Sequence, residues 1–343
     1  MRFAVLGMGK TGHAMAVYLK SKGQEVVVWN RNPQKIDDIA NCGINASGAI
    51  EGRFEVETEK DLGIAIHGAD YIVVMTVANG HKDIANLLKG RLENGQRIIV
   101  FNGNWGAYEF YCVLKDELLT KDVILTETSG MLIMSSFTGT AACRLSKIKN
   151  EIVLSAVKAG DEGVVIEELK EVYPQFVPAK SIIDTSFNNS NPILHCPISF
   201  FNLTRIENAE DYGFYTDASS HVAVDFTEEI DKERVALAKK MGISSMSCLD
   251  ILNSFWDDQH DNLYDALQQN PDYQRIKGPK SLDYRFLTED LPYGLVPIQR
   301  LAKQYGVDTP YLDAMIQMYR LILGNAIVES GPDFSKVSLK EFF

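Results

Sequence analysis

The 343-residue sequence lacks the surplus of positive charge that nucleic-acid binding requires. It has 34 lysines and arginines against 46 aspartates and glutamates, which gives a formal net charge of −12 at pH 7. Proteins that bind nucleic acid present a basic face to the phosphate backbone, so no nucleic-acid partner is expected. An acidic total still permits a local positive pocket, and we expect the partners to be small molecules.

Long apolar runs and paired cysteines are also missing. No stretch approaches the ~20 apolar residues of a membrane span, so we expect a soluble protein with no membrane contact. No two cysteines have the two-residue spacing of a zinc or redox site, which predicts reduced thiols, no metal and a cytoplasmic location. The five scattered cysteines are Cys42, Cys112, Cys143, Cys196 and Cys248.

The first half of the chain alternates between apolar runs and amphipathic segments. The runs Arg2–Leu6 and Glu25–Trp29 flank Lys10–Lys22, whose apolar residues recur at helical spacing, and this order is typical of a βαβ unit. The segment Gly43–Glu57 interrupts the rhythm and is interpreted as an inserted turn or hairpin of unknown role. Further strands are predicted at Tyr71–Thr76, Arg97–Phe101, Val123–Leu125, Thr140–Leu145 and Glu151–Ala156, and helices at Lys82–Leu92 and Tyr108–Leu119.

The second half has helical periodicity without alternating strands. We therefore predict an α/β Rossmann-type N-terminal domain with a parallel sheet over residues 1–186 and an all-α C-terminal domain over 187–343. The expected helices are Glu228–Met241, Ile251–Gln268, Val296–Tyr305 and Tyr311–Leu323.

A glycine-rich turn joins the first strand to the first helix. Its glycines permit a tight turn, close approach of the backbone to a pyrophosphate, and close packing of helix on strand. The pyrophosphate would lie on free amides at the helix N-terminus. Because the pattern G-x-G-x-x-G stands between a strand and a helix, it predicts dinucleotide binding. The turn reads Gly7-Met8-Gly9-Lys10-Thr11-Gly12.

The end of the second strand indicates which dinucleotide is bound. NAD-specific sites place an acid there, whereas this sequence has Asn30 and Arg31, followed by Lys35. A neutral Asn30 does not repel a 2′-phosphate, and Arg31 can bind one, so NADP is favoured with NAD as the alternative. Arg31 could instead be a solvated turn residue. Thr76, at the end of a later strand, is a further candidate for cofactor binding.

Two unusual stretches lie in the helical half. His195 follows a cluster of asparagines, and Asn191 would share its face of a helix, although His195 taken alone could be structural. A Glu-Asp pair at Glu289 and Asp290 stands among prolines and glycine, where Thr288 could equally cap a helix.

These features together resemble the opine dehydrogenase family, also called the octopine/nopaline dehydrogenase family. The resemblance is carried by the glycine-rich turn, Glu127-Thr128, Ala142-Cys143-Arg144, the segment from Asn191 to His195, and Thr288-Glu289-Asp290-Leu291-Pro292-Tyr293-Gly294. Enzymes of this family join the amine of an amino acid to a 2-oxo acid and reduce the resulting imine with NAD(P)H.

The resemblance implies roles for particular residues. His195 would donate and accept protons, and Asp290 would orient it. A homodimer through the helical domain is also expected. The residues expected to bind substrate are Asn104, Thr128, Arg144, Asn191, Tyr273 and Arg285.

The sequence departs from the family pattern at two places and leaves alternatives open. Cys196 separates His195 from Pro197, and residues 102–105 read Asn-Gly-Asn-Trp where the family often has Pro-Gly-Gln. A ketopantoate-reductase-like or 2-hydroxyacid dehydrogenase would instead need a lysine such as Lys170 or Lys180 for proton transfer. An NADP-binding redox sensor without turnover would not need His195 together with Asp290.

Overall fold

The computed structural model describes residues 1–342, which divide into two compact units. The first unit contains Met1–Thr185 and residues 335–342, and the second contains Ser186–Phe334. The sequence prediction placed residues 187–343 in one C-terminal domain, and here the structure differs. The last residues pack with the first unit because the Tyr108 hydroxyl donates to the Val337 carbonyl at 3.1 Å. The Phe342 ring also lies 5.9 Å from the Tyr108 ring.

The first unit is built on a large, mostly parallel sheet and a smaller sheet. The order of the large sheet is β12-β11-β8-β7-β6-β1-β2-β5, and only the β11–β8 pair within it is antiparallel. The order of the small sheet is β4-β3-β10-β9. The strands are β1 Arg2–Leu6, β2 Glu25–Trp29, β3 Ile44–Gly48, β4 Gly52–Phe54, β5 Glu57–Glu59, β6 Tyr71–Val74, β7 Arg97–Val100, β8 Ile124–Thr128, β9 Ile133–Gly139, β10 Ala142–Ile148, β11 Ile152–Ala156 and β12 Phe176–Pro178.

Helices cover the sheet of the first unit and make up the second. The prediction of a Rossmann-type domain followed by a helical domain is confirmed. The helices are α1 Lys10–Ser21, α2 Pro33–Cys42, α3 Leu62–Ile66, α4 His81–Leu88, α5 Gly106–Thr120, α6 Asp161–Leu169, α7 Ile182–Phe187, α8 Ser190–Phe200, α9 Leu203–Glu207, α10 His221–Met241, α11 Cys248–Phe255, α12 Leu263–Gln268, α13 Arg285–Thr288, α14 Val296–Tyr305, α15 Pro310–Leu323 and α16 Asn325–Val328.

Strand β1 lies at the centre of the large sheet, parallel to β2 on one side and to β6 on the other. Its residues from Phe3 to Leu6 are fully buried, as expected for a parallel strand covered on both faces. In parallel strands the carboxyl ends meet at one edge of the sheet, and this edge is where doubly wound folds bind ligands. The glycine-rich turn after β1 therefore begins at the binding edge.

The segment Gly43–Glu57 forms the hairpin β3–β4, which joins β9 and β10 in the small sheet. Cys143 and Leu145 of β10 are buried in the same core as helix α1. Gly48 has φ +97°, and a Cβ there would lie 2.2 Å from the Leu145 carbonyl oxygen. The insertion thus extends the small sheet by pairing with β10, whose buried residues share the core of α1. Strands β10 and β11 lie in different sheets.

The single helix predicted at Ile251–Gln268 is wrong. The chain becomes extended at Trp256 (φ −135°, ψ 160°), so α11 ends at Phe255. A new helix starts where the Asn262 side chain accepts a hydrogen bond from the Asp265 amide. The apolar periodicity of the sequence continues across this break, which is why one helix was predicted. The Asn262 cap nevertheless starts a separate helix. No helix within residues 1–342 is both long and apolar enough to cross a membrane.

Candidate functional site

The glycine-rich turn has the geometry that a dinucleotide pyrophosphate requires. A Cβ on Gly12 would lie 2.0 Å from the Gly7 carbonyl oxygen, so only glycine allows α1 to pack this closely on the turn. Beside Gly9, by contrast, no described atom lies within 4 Å of where a Cβ would stand. The first turn of α1, which contains Lys10 and Thr11, has no acidic residue and no side-chain cap from Gly9. Its amides therefore suit an anion.

Asn30 holds this turn in place. Its Oδ1 accepts a hydrogen bond from the Met8 amide at 2.9 Å, and its Nδ2 donates to the Asn32 carbonyl at 3.2 Å. The sequence pointed to Asn30 only as a missing acid, but the structure gives it this further function. Thr76 lies against the other side of the turn, since its methyl group would be 2.9 Å from a Cβ on Gly7.

Two cations flank the end of β2. Arg31 is largely exposed and makes an ion pair with Asp83 at 3.3 Å, with 78% of its side-chain surface accessible. Lys35 donates to the Met8 carbonyl at 3.3 Å, and its ammonium group lies 5.9 Å from the centre of the Phe137 ring. An exposed ion pair contributes little to stability, so Arg31 can exchange Asp83 for a phosphate at small cost.

A left-handed turn follows β7, which the sequence did not predict. Residues Asn102, Gly103, Asn104 and Trp105 have φ values of 65°, 27°, 50° and 65°. For residues other than glycine this conformation costs about 1–2 kcal/mol each, and it persists only where neighbouring groups enforce it. Three of the four are not glycine, and they are almost fully buried.

The end of β8 enforces the turn. The buried carboxylate of Glu127 accepts hydrogen bonds from the Ala107 amide and from the Thr185 hydroxyl, both at 2.8 Å. The Thr128 hydroxyl accepts from the Asn102 amide at 3.2 Å and donates to the Gly130 carbonyl at 2.8 Å. The substrate candidate Asn104 therefore lies in a turn that contacts the end of β8, where the hydroxyl of the candidate Thr128 is engaged by backbone groups.

Arg144 lies away from these loops in strand β10 of the small sheet. It is half-buried opposite Ser136 of β9 and Ser47 of β3. Its buried Nε atom has no hydrogen-bond partner among residues 1–342. Its predicted contact with substrate stays a prediction.

In the second unit, His195 and Asp290 form a hydrogen-bonded pair. His195 lies in α8, where the Asn189 side chain caps the helix by accepting from the amide of Asn191. Its Nδ1 lies 2.7 Å from Asp290 Oδ2, across 95 residues of sequence. Because a carboxylate accepts and Nδ1 donates, this contact fixes the tautomer of the neutral ring. Nε2 is then the nitrogen that can accept a proton.

Aromatic side chains surround the imidazole. The Phe286 ring stacks on it with centroids 3.7 Å apart and 21° between planes, and Phe214 meets its edge at 5.6 Å. The Tyr215 hydroxyl lies 3.0 Å from Nε2, and the Tyr215 ring is 4.5 Å from that of Tyr273. Sequence reasoning missed Tyr215 and Phe286, because neither has a motif or spacing that relates it to His195.

The segment that contains Asp290 has an irregular backbone, and this backbone places Asp290 against α8. After α13, residues Leu291–Leu295 form a turn of π-helix. A Cβ on Gly294 would stand 2.3 Å from the ring of Pro192, so glycine is required for this contact with α8. The Leu-Pro-Tyr-Gly string thus has a packing function, which keeps the fully buried Asp290 beside His195.

Arg285 makes an ion pair with Glu289 one helical turn later, with Nε 2.9 Å from Oε2. Burial alone would lower the pKa of Arg285, but the carboxylates of Glu289 and Asp290 more than offset it and raise the pKa above its usual value. The two terminal nitrogens of Arg285 make no hydrogen bond within the described chain. Its guanidinium is therefore a fixed cation near Asp290, with donors left for an anion.

Comparison with known proteins gives concordant results. Residues 178–323 match the family model of the NAD/NADP octopine/nopaline dehydrogenase alpha-helical domain. Residues 2–105 match the NAD-dependent glycerol-3-phosphate dehydrogenase N-terminus. An opine dehydrogenase of Arthrobacter sp. (strain 1C) is 30% identical over 341 residues, which cover 98% of this chain and 95% of that protein.

Solved structures share the fold. Octopine dehydrogenase with NADH and L-arginine superposes with a TM-score of 0.76 at 18% identity, covering 94% of this chain and 90% of that one. Yersinopine dehydrogenase with NADP⁺ gives a TM-score of 0.69 at 12% identity, covering 95% and 93%. The full-length relative and the matched helical domain together decide the family. This chain belongs to the opine dehydrogenase (octopine/nopaline dehydrogenase) family and is an NAD(P)-dependent oxidoreductase.

Proposed function

We propose that this enzyme condenses an amino acid with a 2-oxo acid, that it prefers NADPH, and that His195 and Asp290 are its acid–base pair. The observation that carries the proposal is the 2.7 Å contact between His195 Nδ1 and Asp290 Oδ2 in a buried, aromatic-lined position. A histidine oriented by a carboxylate is suited to transfer protons near neutral pH.

The chemistry needs two proton movements before reduction. His195 takes a proton from the ammonium group of the amino acid, and the free amine adds to the carbonyl of the 2-oxo acid. The imidazolium returns that proton to the carbinolamine hydroxyl, which leaves as water, and the protonated imine (iminium ion) remains. Asp290 stabilises the imidazolium between the two movements. A bound nicotinamide cofactor supplies the hydride that reduces the imine carbon.

In the Rossmann unit, the residues proposed to hold the cofactor are those of the glycine-rich turn, with Asn30, Arg31, Lys35 and Thr76. The uncapped amides of α1 and the open space beside Gly9 support a pyrophosphate there. Asn104, Thr128, Arg144, Asn191, Tyr273 and Arg285 are proposed to bind the substrates.

A single assay tests the reaction class. Oxidation of NADPH, followed by absorbance, should require an amino acid and a 2-oxo acid together. Oxidation with a 2-oxo acid alone would indicate a 2-hydroxyacid dehydrogenase, and binding without turnover would indicate a sensor. The alternative proton carrier Lys170 is exposed and pairs with Glu167 on the surface. This position does not favour a 2-hydroxyacid dehydrogenase that uses Lys170.

We expect NADPH to bind more tightly than NADH, because Asn30 leaves a 2′-phosphate unopposed and Arg31 can pair with it. Replacing Arg31 by alanine should weaken NADPH binding about 10-fold, the scale of one charge-assisted contact at an exposed site, and leave NADH binding unchanged. Fluorescence titration of both cofactors measures this.

The matched control is Arg53→Ala, which removes another exposed arginine, paired with Glu55. It should change neither affinity. Equal affinities for the two cofactors in the unsubstituted enzyme would contradict the preference for NADP.

Arg285 is expected to hold the carboxylate of the 2-oxo acid. Lysine keeps the charge but loses the planar pair of donors, so Arg285→Lys should raise the KM for the 2-oxo acid by ~10-fold or more. The KM for NADPH should stay near its original value. If steady-state kinetics show an unchanged KM for the 2-oxo acid, Arg285 serves only its ion pair with Glu289, and Arg144 becomes the candidate.

Two further parts of the proposal concern the protein in the cell. One is a cytoplasmic location, which the scattered cysteines suggest because no two of them have the spacing of a metal or redox site. The other is a homodimer formed through the helical unit. Both stay predictions.

A further inference from the structure

Both ring nitrogens of His195 are engaged by other side chains. Asp290 accepts a hydrogen bond from Nδ1, and the Tyr215 hydroxyl lies 3.0 Å from Nε2. Phe286 covers one face of the ring at 3.7 Å, and only 7% of the His195 side chain is exposed. The Tyr215 hydroxyl therefore occupies the hydrogen-bonding position on Nε2 through which His195 would exchange a proton.

We propose that Tyr215 carries protons between His195 Nε2 and the substrate. This inference rests on the proposed function of His195. With the Nδ1 hydrogen directed at Asp290, Nε2 presents a lone pair, and the Tyr215 hydroxyl donates to it. A hydroxyl has acceptor capacity beyond the bond it donates, so the same oxygen can receive a proton from a neighbouring amine.

The transfer is balanced in both directions. In deprotonation, an N–H bond of the substrate ammonium breaks as an O–H bond forms on Tyr215. The original O–H bond of Tyr215 breaks as an N–H bond forms on His195 Nε2. The free amine, a neutral tyrosine and an imidazolium result. In dehydration the sequence reverses, and the carbinolamine oxygen receives the proton and leaves as water.

The surroundings of Tyr215 favour a concerted transfer over a free tyrosinate. Burial raises the pKa of Tyr215 well above its usual value, with the nearby Tyr273 adding to the effect. The ring is held in place by Tyr273 at 4.5 Å and by Phe214 at 5.0 Å. The hydroxyl therefore stays neutral and fixed, and it can release its proton only as it gains another.

The test is Tyr215→Phe, which keeps the ring and its packing and removes one oxygen. We expect kcat for the condensation to fall by ~10–10²-fold, toward the lower end of the range for a lost acid–base group because water can replace the hydroxyl in part. The KM values and the NADPH affinity should stay within about twofold, as expected when an interaction matters only in the transition state.

Tyr212→Phe is the matched control, since it removes a buried hydroxyl three residues earlier in the same loop. That hydroxyl donates to the Pro279 carbonyl at 3.5 Å. This variant should keep wild-type kcat, and both variants should have similar melting temperatures.

A double-mutant cycle separates a relay from a structural role. In a His195→Asn background, Tyr215→Phe should cause no further loss, because a relay without its histidine has nothing to serve. Additive losses, a rise confined to KM, or wild-type kcat in Tyr215→Phe would each overturn the relay. If His195→Asn is impaired in those cases, the proposed function stands. Wild-type activity in His195→Asn would overturn both.

Discussion

His195→Ala should lower turnover by ~10²–10⁴-fold, the scale of a positioned acid–base group. The pair of His195 and Asp290 belongs to the second unit and the glycine-rich turn to the first, so we expect the affinity for NADPH to change little. Stopped-flow or steady-state absorbance of NADPH with saturating substrates measures the loss, and fluorescence titration measures the affinity.

His221→Ala provides the control for removing an imidazole. His221 begins α10 on the surface and stacks on Tyr264 at 3.9 Å, in the same unit as His195. This variant should keep its activity. If His195→Ala were as active as His221→Ala, His195 would be a structural residue held by its aromatic neighbours.

Asp290→Asn should impair the same step more mildly. The amide oxygen can still accept from Nδ1, but the negative charge that favours the imidazolium is gone. The double variant with His195→Ala should be no slower than His195→Ala alone, because the two residues act as one unit.

The second large effect is expected at the glycine-rich turn, where two alanine variants should fail for different reasons. Gly12→Ala puts a methyl group 2.0 Å from the Gly7 carbonyl oxygen, so the helix must move away from the turn. We expect a lower melting temperature and a loss of cofactor affinity of at least ~100-fold, since the amides that bind pyrophosphate move with the helix.

Gly9→Ala is the matched variant, because the added methyl group meets no atom of the described chain within 4 Å. This variant should keep the wild-type melting temperature and still bind the cofactor more weakly, because the pyrophosphate would need the space that the methyl group fills. Calorimetry and fluorescence titration together resolve the two effects. Unchanged cofactor affinity in Gly9→Ala would mean that the pyrophosphate does not lie beside this glycine.

Local features of this chain could be predicted from its sequence. The turn from Gly7 to Gly12 and the neutral Asn30 each follow a strand within one βαβ unit, so the order of residues along the chain is enough to identify them. The helical domain could likewise be predicted from periodicity, although the capping of α12 by Asn262 escaped it.

Contacts between residues far apart in the sequence could not be predicted in the same way. The link between His195 and Asp290 came from family resemblance, and its geometry depends on a contact of Gly294 with Pro192 that no spacing predicts. Tyr215 and Phe286 reach His195 only through tertiary packing. The strand predicted near Thr140–Leu145 pairs with the inserted β3 and with β9, and no local pattern indicates this, because long-range pairing decides which sheet a strand joins.

The left-handed turn at 102–105 has a consequence for laboratory evolution of heat resistance. Asn104 has φ 50°, a backbone conformation that glycine adopts with less strain, so a selection for stability alone would favour glycine at this position. At Trp105, which is fully buried, glycine would instead leave a large cavity. Asn104 belongs to the turn held by the end of β8, and losing its side chain would remove a proposed substrate contact. Libraries selected only for survival at high temperature should therefore accumulate inactive enzymes at this turn, whereas libraries also screened for turnover should leave it unaltered.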